Sequence, residues 1–252
     1  MGPCRRGWSA AAEVLQPRVV RYNDGVSSIP STAASAVLVL GTTNAGKVRE
    51  LVALLGPHGI ACRSLREVEG AVEVEETGAT FAENAALKAT QQALALEAWV
   101  LAEDSGLVVP ALGGAPGVLS ARFSGPAPPD ATQSVDERNN ALLLERMASF
   151  SGRDRVAHYA CHAALADPAG RVVAVAAGTC HGSIAPLRRG CGGFGYDPLF
   201  VVAEYGRTFG EIPAAVKAVI SHRARALRAM LPAIVRELQG ARPAMSSEHG
   251  TA

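Results

Sequence analysis

Apolar and polar positions follow two rhythms along this chain, and the changes of rhythm mark its elements. Val37–Leu40 is an unbroken apolar run, partly β-branched, which predicts a buried strand. After Lys47 the period becomes helical: Val48, Leu51, Val52 and Leu55 fall on one face, and Gly56-Pro57 is the stop signal. A second helix is predicted over "TFAENAALKATQQALALEA", where Thr80 and Glu83 have capping-box spacing and alanine and leucine favour helix. "AWVLAEDSG" reads as a buried strand delivering Glu103 and Asp104 at its carboxyl end. "LGGAPGVLSARFSG" reads as a loop of the kind that carries function, and "DERNNALLLERMA" as a helix. "RVAHYACHAALA" and "RVVAVAAGTCHGSI" predict two long strands joined by the turn Asp167–Gly170. A second glycine-rich loop, "RRGCGGFGYDPLF", follows, and the chain returns to helix after Ser221 as cap, with Pro232 a point for a kink. Strands alternating with helices, plus one hairpin, predict an α/β fold with a mixed sheet.

Composition narrows the picture. The 252 residues are 48% hydrophobic and 19% charged, an ordinary globular balance with length enough for a sizeable core. A net charge of +1 leaves no basic footprint for nucleic acid, and no apolar run is long enough to span a membrane. The cysteines, Cys4, Cys62, Cys161, Cys180 and Cys191, are scattered, with no C-x-x-C pair. That argues against a disulfide framework or a zinc site and suits a reducing compartment, so the cytoplasm is the expected location. Residues 1–35 differ from the rest: Arg5, Arg6, Arg18 and Arg21 face only Glu13 and Asp24, beside a linker-like "SSIPSTAAS". This stretch is expected to be a disordered extension, with a transit-type targeting segment or an early start as the other readings. The domain proper is expected over residues 36–240, and a disordered tail over 241–252.

The chemistry starts at "GTTNAGK". Gly41 to Lys47 match G-x-x-x-x-G-K, but Val48 stands where a P-loop needs the Ser or Thr that ligates Mg²⁺. Placed at a helix N-terminus, Thr42–Lys47 would still suit an anion through backbone N–H groups and one ammonium. Two acidic segments, Glu75-Glu76 and Glu103-Asp104, offer the hard carboxylates Mg²⁺ prefers. Neighbouring acids in a strand point to opposite faces, so one can ligate metal while the other meets water or a second metal. Asn84 and Lys88 share a helical face. His158 and His162 lie on one strand face but about 13 Å apart, too far to share a zinc. His181 has no evident partner, and Cys161 and Cys180 read as small core residues. Phe194 and Tyr196 are rings beside flexible glycines that suit stacking on a base. Ser221, His222 and Arg223 stand at a helix start, where they can cap it or read a base carbonyl.

Taken in order, "TTNAGKVREL", "EETGATFAENAALKA", "EDSGLVVPALGGAPGVLSARFSG", "GGFGYDPLF" and "KAVISHRARAL" resemble the inosine triphosphate pyrophosphatase family, especially its bacterial dITP/XTP pyrophosphatases. The resemblance spans about Val37–Leu238. It implies an elongated mixed sheet flanked by helices, two lobes with a cleft, and a homodimer. It also implies Mg²⁺-dependent hydrolysis of non-canonical purine triphosphates to monophosphate and pyrophosphate. Carried over, Thr42, Thr43, Asn44, Ala45, Gly46 and Lys47 bind the triphosphate, and Lys88 contacts phosphate. Glu76 with Glu103 or Asp104 holds Mg²⁺; Asp104 accepts the proton of the attacking water, and Ser105 touches substrate. Phe194, Gly195, Tyr196 and Asp197 wrap the base, and Lys217, His222 and Arg223 complete its recognition. The chain departs from the family pattern in Thr43, which replaces a glycine, in Glu103 for an aspartate, and in Val216 and Ala218 around Lys217. The other readings are a P-loop nucleotidase, a same-fold pyrophosphatase for modified pyrimidine nucleotides, and a nucleotide-binding protein without catalysis.

Overall fold

A computed structural model describes residues 37–240; the expectations for the two ends of the chain lie outside the described residues. Strands β1 (Leu38–Leu40), β2 (Cys62–Ser64), β3 (Val100–Val108), β4 (Val156–Ala166), β5 (Val172–Ile184), β6 (Phe200–Val202) and β7 (Arg207–Thr208) form one open sheet in the order β2-β1-β3-β4-β5-β6-β7. β1 runs parallel to β2 and β3, and every later pairing is antiparallel, so the sheet is mixed as the alternation of elements predicts. The helices are α1 (Ala45–Leu55), α2 (Phe81–Leu96), α3 (Val135–Arg146), α4 (Ala214–Ile220) and α5 (His222–Gly240).

Strand alternation sorts the helices onto the two faces. Leu38, Leu40, Leu101 and Leu165 point to the face covered by α1 and α5, where they pack with Leu51, Leu55, Leu227, Met230 and Ile234. Val39, Val100, Ala102, Ala164 and Ala166 point to the other face and meet the alanines of α2, Ala85, Ala89 and Ala93. Small residues on both sides let that helix lie close to the sheet. A third cluster, Leu107, Tyr159, Phe200 and Phe209 with Leu143 of α3 and Met147 just after it, fills the end around β6 and β7.

Two boundaries differ from the sequence expectation. The first helix buries Leu51 and Leu55, whereas Val52 is 44% exposed, because the covered stripe centres on the i, i+4 pair. Its stop is a 3-10 turn over Gly56–His58, and the chain reverses at Gly59, whose φ is +70°. The second boundary matters more. β3 does not end at its acids but continues through Val108, paired with β4 along its whole length. β1 pairs with β3 only at Val100 and Leu101. Beyond that point, among the described residues, no strand lies on the β1 side of β3, so the edge carrying Glu103, Asp104 and Ser105 opens beside the loop leaving β1. Gly106 is required on this edge, since a Cβ there would lie 2.3 Å from Ser120 Oγ.

Candidate active site

The edge of β3 looks into a cavity of about 300 Å³, lined among others by Asn44, Lys47, Glu76, Asp104, Phe194 and Arg223. That volume is at the lower end of the range for small-molecule sites. An adjoining hollow of about 340 Å³ is lined by Thr42, Thr43, Lys88 and again Asn44, Lys47 and Glu76. Most residues expected at the site from the sequence therefore border one continuous region. Ala45, Gly46 and Glu103 border neither hollow.

At the N-terminus of α1, Asn44 is the N-cap: its Oδ1 accepts from the N–H of Gly46 at 2.9 Å and of Lys47 at 3.0 Å. Two of the N–H groups expected to meet phosphate are thus occupied by the cap. Thr42 Oγ1 accepts from the Asn44 N–H at 3.2 Å, and Thr43 is exposed. Gly46 lies under the Phe194 ring, where a Cβ would come within 2.7 Å of it. Val48 packs into the α1–α5 core, so the residue that breaks the P-loop pattern serves the helix.

The acids separate by face. Asp104 points toward α2, and Lys88 Nζ lies 3.0 Å from Asp104 Oδ1 and 2.8 Å from Glu76 Oε1. Asn84, fully buried, donates from Nδ2 to Asp104 Oδ2 at 3.3 Å and accepts the Gly78 N–H on Oδ1 at 2.8 Å. Burial on its own would raise Glu76, but the Lys88 and Arg122 contacts outweigh it and hold the carboxyl below its ordinary range. Burial pulls Lys88 down, and the charges of Asp104 and Glu76 more than reverse that, so its ammonium is kept protonated. Glu103 points the other way, toward α1 and α5. It is buried between Lys47 Nζ at 3.0 Å and Arg223 Nη2 at 3.1 Å. Burial would raise it, yet Arg223 and Lys47 drive it well below the carboxylate range. Among the described residues no three His, Cys, Asp or Glu side chains gather as a metal cluster. The acids that converge on one cation are Glu76 and Asp104, and Glu103 is the counter-ion of two bases. Hard carboxylate oxygens already closing on an ammonium are a donor set that fits Mg²⁺.

The far end of the cavity is a buried ion network. Lys217 pairs with Asp197 and, at 2.8 Å, with Glu50 Oε1; Arg223 pairs with Glu50, Glu103 and, at 2.9 Å, Ser105 Oγ. Lys47, Lys217 and Arg223 are thereby matched by Glu50, Glu103 and Asp197. Phe194 sits over the two inner cations, with its ring centroid 4.8 Å from Lys217 Nζ and 5.7 Å from Arg223 Cζ. His222 is stacked on Tyr159 at 4.5 Å, and its Nδ1 has no hydrogen-bond partner among the described residues. Burial, with Arg223 and Lys217 beside it, pushes His222 well below its ordinary pKa, so the ring is neutral. Tyr196 is buried and donates its hydroxyl to the Ser120 carbonyl at 2.9 Å. It is a wall of the cavity rather than a free stacking platform.

Sequence reasoning missed Glu50, Arg122, Tyr159 and Asp136. Glu50 sits one turn after Lys47, a spacing that could have flagged it as sharing that helix end. Arg122, 3.3 Å from Glu76, stood within the quoted "SARFSG". His181 does have a partner, since it lies opposite His158 across β4 and β5 with ring centroids 5.7 Å apart. Cys161 is buried as expected and donates its thiol to Glu103 at 3.4 Å.

Comparison with known proteins matches this geometry to a family. The model of the Ham1 family matches residues 38–233. A dITP/XTP pyrophosphatase of Rhodopirellula baltica is 51% identical over 202 residues, which are 80% of this chain and 94% of that protein. One of Geobacillus kaustophilus is 48% identical over 190 residues, covering 75% and 90%. Among solved structures, a HAM1 protein from Coxiella burnetii superposes with a TM-score of 0.69 at 35% identity, covering 80% of this chain and 99% of its own. A nucleoside-triphosphatase / dITP/XTP pyrophosphatase from Mycobacterium abscessus gives 0.61 at 40% identity, covering 77% and 98%.

Proposed function

The chain belongs to the Ham1 family, and on that premise we propose that it is a nucleoside triphosphate pyrophosphatase. Its substrates are non-canonical purine triphosphates such as ITP, dITP and XTP, which it removes from the nucleotide pool. The observation that carries the reading is the pairing of two unlike ends across the cavity and its adjoining hollow. Asp104, Lys88 and Glu76 gather at one end, and fixed donors with a neutral His222 gather at the other.

The polyphosphate lies along Thr42–Lys47, with Lys47 and Lys88 offsetting its charge. Glu76 and Asp104 would hold Mg²⁺, which when bound would supply further neutralisation of the polyphosphate charge. Asp104 takes a proton from a water held against the α-phosphorus, and the water oxygen bonds to that phosphorus. The bond to the α–β bridging oxygen breaks, and pyrophosphate leaves with the electron pair. Asn84 and Lys88 fix the rotamer of Asp104, which keeps the base aligned with the water. Glu103 keeps Lys47 and Arg223 in place from the opposite face.

Base selection rests on Lys217, His222 and Arg223. All three are buried, and their acidic partners fix two of them as donors that cannot turn away. A 6-oxo group accepts from such donors, and His222 contributes as the Nδ1–H tautomer. A 6-amino group would face donors with donors and leave His222 Nδ1, which has no partner of its own among the described residues, unpaired at about 1–3 kcal/mol. The same reading carries a homodimer working on the cytoplasmic nucleotide pool.

Steady-state hydrolysis of ITP, XTP, GTP, ATP and modified pyrimidine triphosphates, with pyrophosphate and orthophosphate measured separately, tests this. The expected result is pyrophosphate release with ITP and XTP favoured over ATP by at least about tenfold. Orthophosphate as the product defeats the reading. A preference for modified pyrimidines moves the protein to the alternative substrate class.

A further inference from the structure

One wall of the cavity, Phe194–Asp197, lies outside any helix or strand, and the glycines before and within it have φ of +75° at Gly193 and +59° at Gly195. Such a segment needs outside fastening to hold a ring in place. Within the loop, Asp197 Oδ2 accepts the Phe194 N–H at 2.9 Å. From outside, Ser120 holds the Tyr196 hydroxyl and Lys217 holds Asp197, and a further fastening, of the backbone itself, comes from α3, far away in sequence. The Gly195 N–H donates to Asp136 Oδ2 at 2.7 Å, and the Gly195 carbonyl accepts from Asn140 Nδ2 at 2.8 Å.

Asp136 and Asn140 are four apart, one above the other on the same helical face. One helical turn therefore grips both backbone groups of a single glycine. Asn140 is buried and also donates from Nδ2 to the Asp136 carbonyl at 2.6 Å, so its amide can face only one way. The next-door Asn139 does the same for the opposite wall. Its Oδ1 accepts the Ser124 N–H at 2.8 Å, and its Nδ2 faces the carbonyls of Ser120 and Ala121 at 3.3 Å.

We propose that Asp136 and Asn140 are positioning residues for base recognition. By clamping the Gly195 peptide they hold the Phe194 ring over Lys217 and Arg223 and against Gly46. They set how tightly the base is held and leave the chemical step alone. This rests on the reading of Phe194–Asp197 as the base wall. Asp136 is the better probe because it is exposed at the cavity rim, so its replacement leaves the core intact.

The test uses the full chain with Asp136→Ala, Asp136→Asn and Asn140→Asp. It measures ITP turnover by pyrophosphate release and amide hydrogen exchange over residues 193–197. Asp136→Ala should raise KM about fivefold or more with kcat within about threefold, and speed exchange in the loop about tenfold. Asp136→Asn retains an oxygen that accepts the Gly195 N–H, and should return both readouts to within about twofold of the unsubstituted protein. Asn140→Asp sets a carboxylate against two carbonyl oxygens and should move both readouts at least as far as Asp136→Ala. Unchanged exchange in Asp136→Ala overturns the clamp. So does equal impairment of the Ala and Asn variants, which would mean the charge itself meets substrate. If the unsubstituted protein releases no pyrophosphate from ITP, the functional reading fails, and the exchange measurement still decides the clamp.

Discussion

Replacing Glu103 by glutamine removes one negative charge and almost no volume from the centre of the ion network. Glu103 is 1% exposed and touches two cations, Lys47 at 3.0 Å and Arg223 at 3.1 Å. At an effective dielectric of about 20 each such contact is worth roughly 5 kcal/mol before desolvation, which takes back most of it. What remains on breaking the pair is the cost of two cations left without their counter-ion, typically about 3–5 kcal/mol. Two features argue for the lower end. The glutamine oxygen still accepts from Arg223, and Arg223 keeps Glu50. Lys47, at 16% side-chain exposure, can also swing toward the cavity. A loss of about 3 kcal/mol lowers the melting temperature of a domain of this size by about 6–12 °C. Thermal unfolding followed by circular dichroism at neutral pH, without nucleotide, measures it. Adding Lys47→Met should recover part of the loss by removing a stranded charge. A fall of less than about 3 °C in Glu103→Gln, or no recovery in the double variant, would refute the description of Glu103 as a counter-ion.

Asp104→Asn should lower kcat for ITP by at least about 10² while KM changes little; near-normal turnover would remove Asp104 from the role of base. Glu50→Gln loosens both Lys217 and Arg223, and should raise KM for ITP about fivefold or more; an unchanged KM by initial-rate measurement would show that the two cations do not depend on it. His222 is held neutral in the fold, so its stabilising contribution is complete above its unfolded pKa of about 6.5 and is lost as pH falls toward the depressed folded value. Urea unfolding should therefore show stability falling between about pH 6.5 and 5. His222→Gln should flatten that part of the curve, and a curve of the same slope would count against a buried neutral ring.

The strands and long helices were legible because each rests on a local signal. Thr80 and Glu83 form both halves of a capping box, and the Asp167–Gly170 turn joins the two strands it was expected to join. The length of β3 was not legible. Glu103 and Asp104 read as the carboxyl end of the strand, yet the pairing of Ser105 with Cys161 and of Gly106 with Ala160 carries it on through Val108. That Thr42, Asn44, Lys47, Lys88, Lys217 and Arg223 border one region was readable from spacing and resemblance together. Their partners were not. Glu50 meets Arg223 across 173 positions and Asp136 meets Gly195 across 59, distances that no periodicity encodes. Val48 shows the opposite case. It departs from the phosphate-loop pattern but fits the helical one, and the packing follows the helix.

β3 carries Glu103, Asp104 and Ser105 in mid-strand, hydrogen-bonded to β4, which is itself paired with β5 over nearly its full length. On that side its backbone opens only with the β3–β4–β5 ladder. Asp104, the acid proposed as the base, is therefore tied to that ladder. Heat inactivation and global unfolding are expected to share one midpoint, and mutations that weaken the core to act on activity by lowering the amount of folded enzyme, which pyrophosphate release measured beside circular dichroism would check.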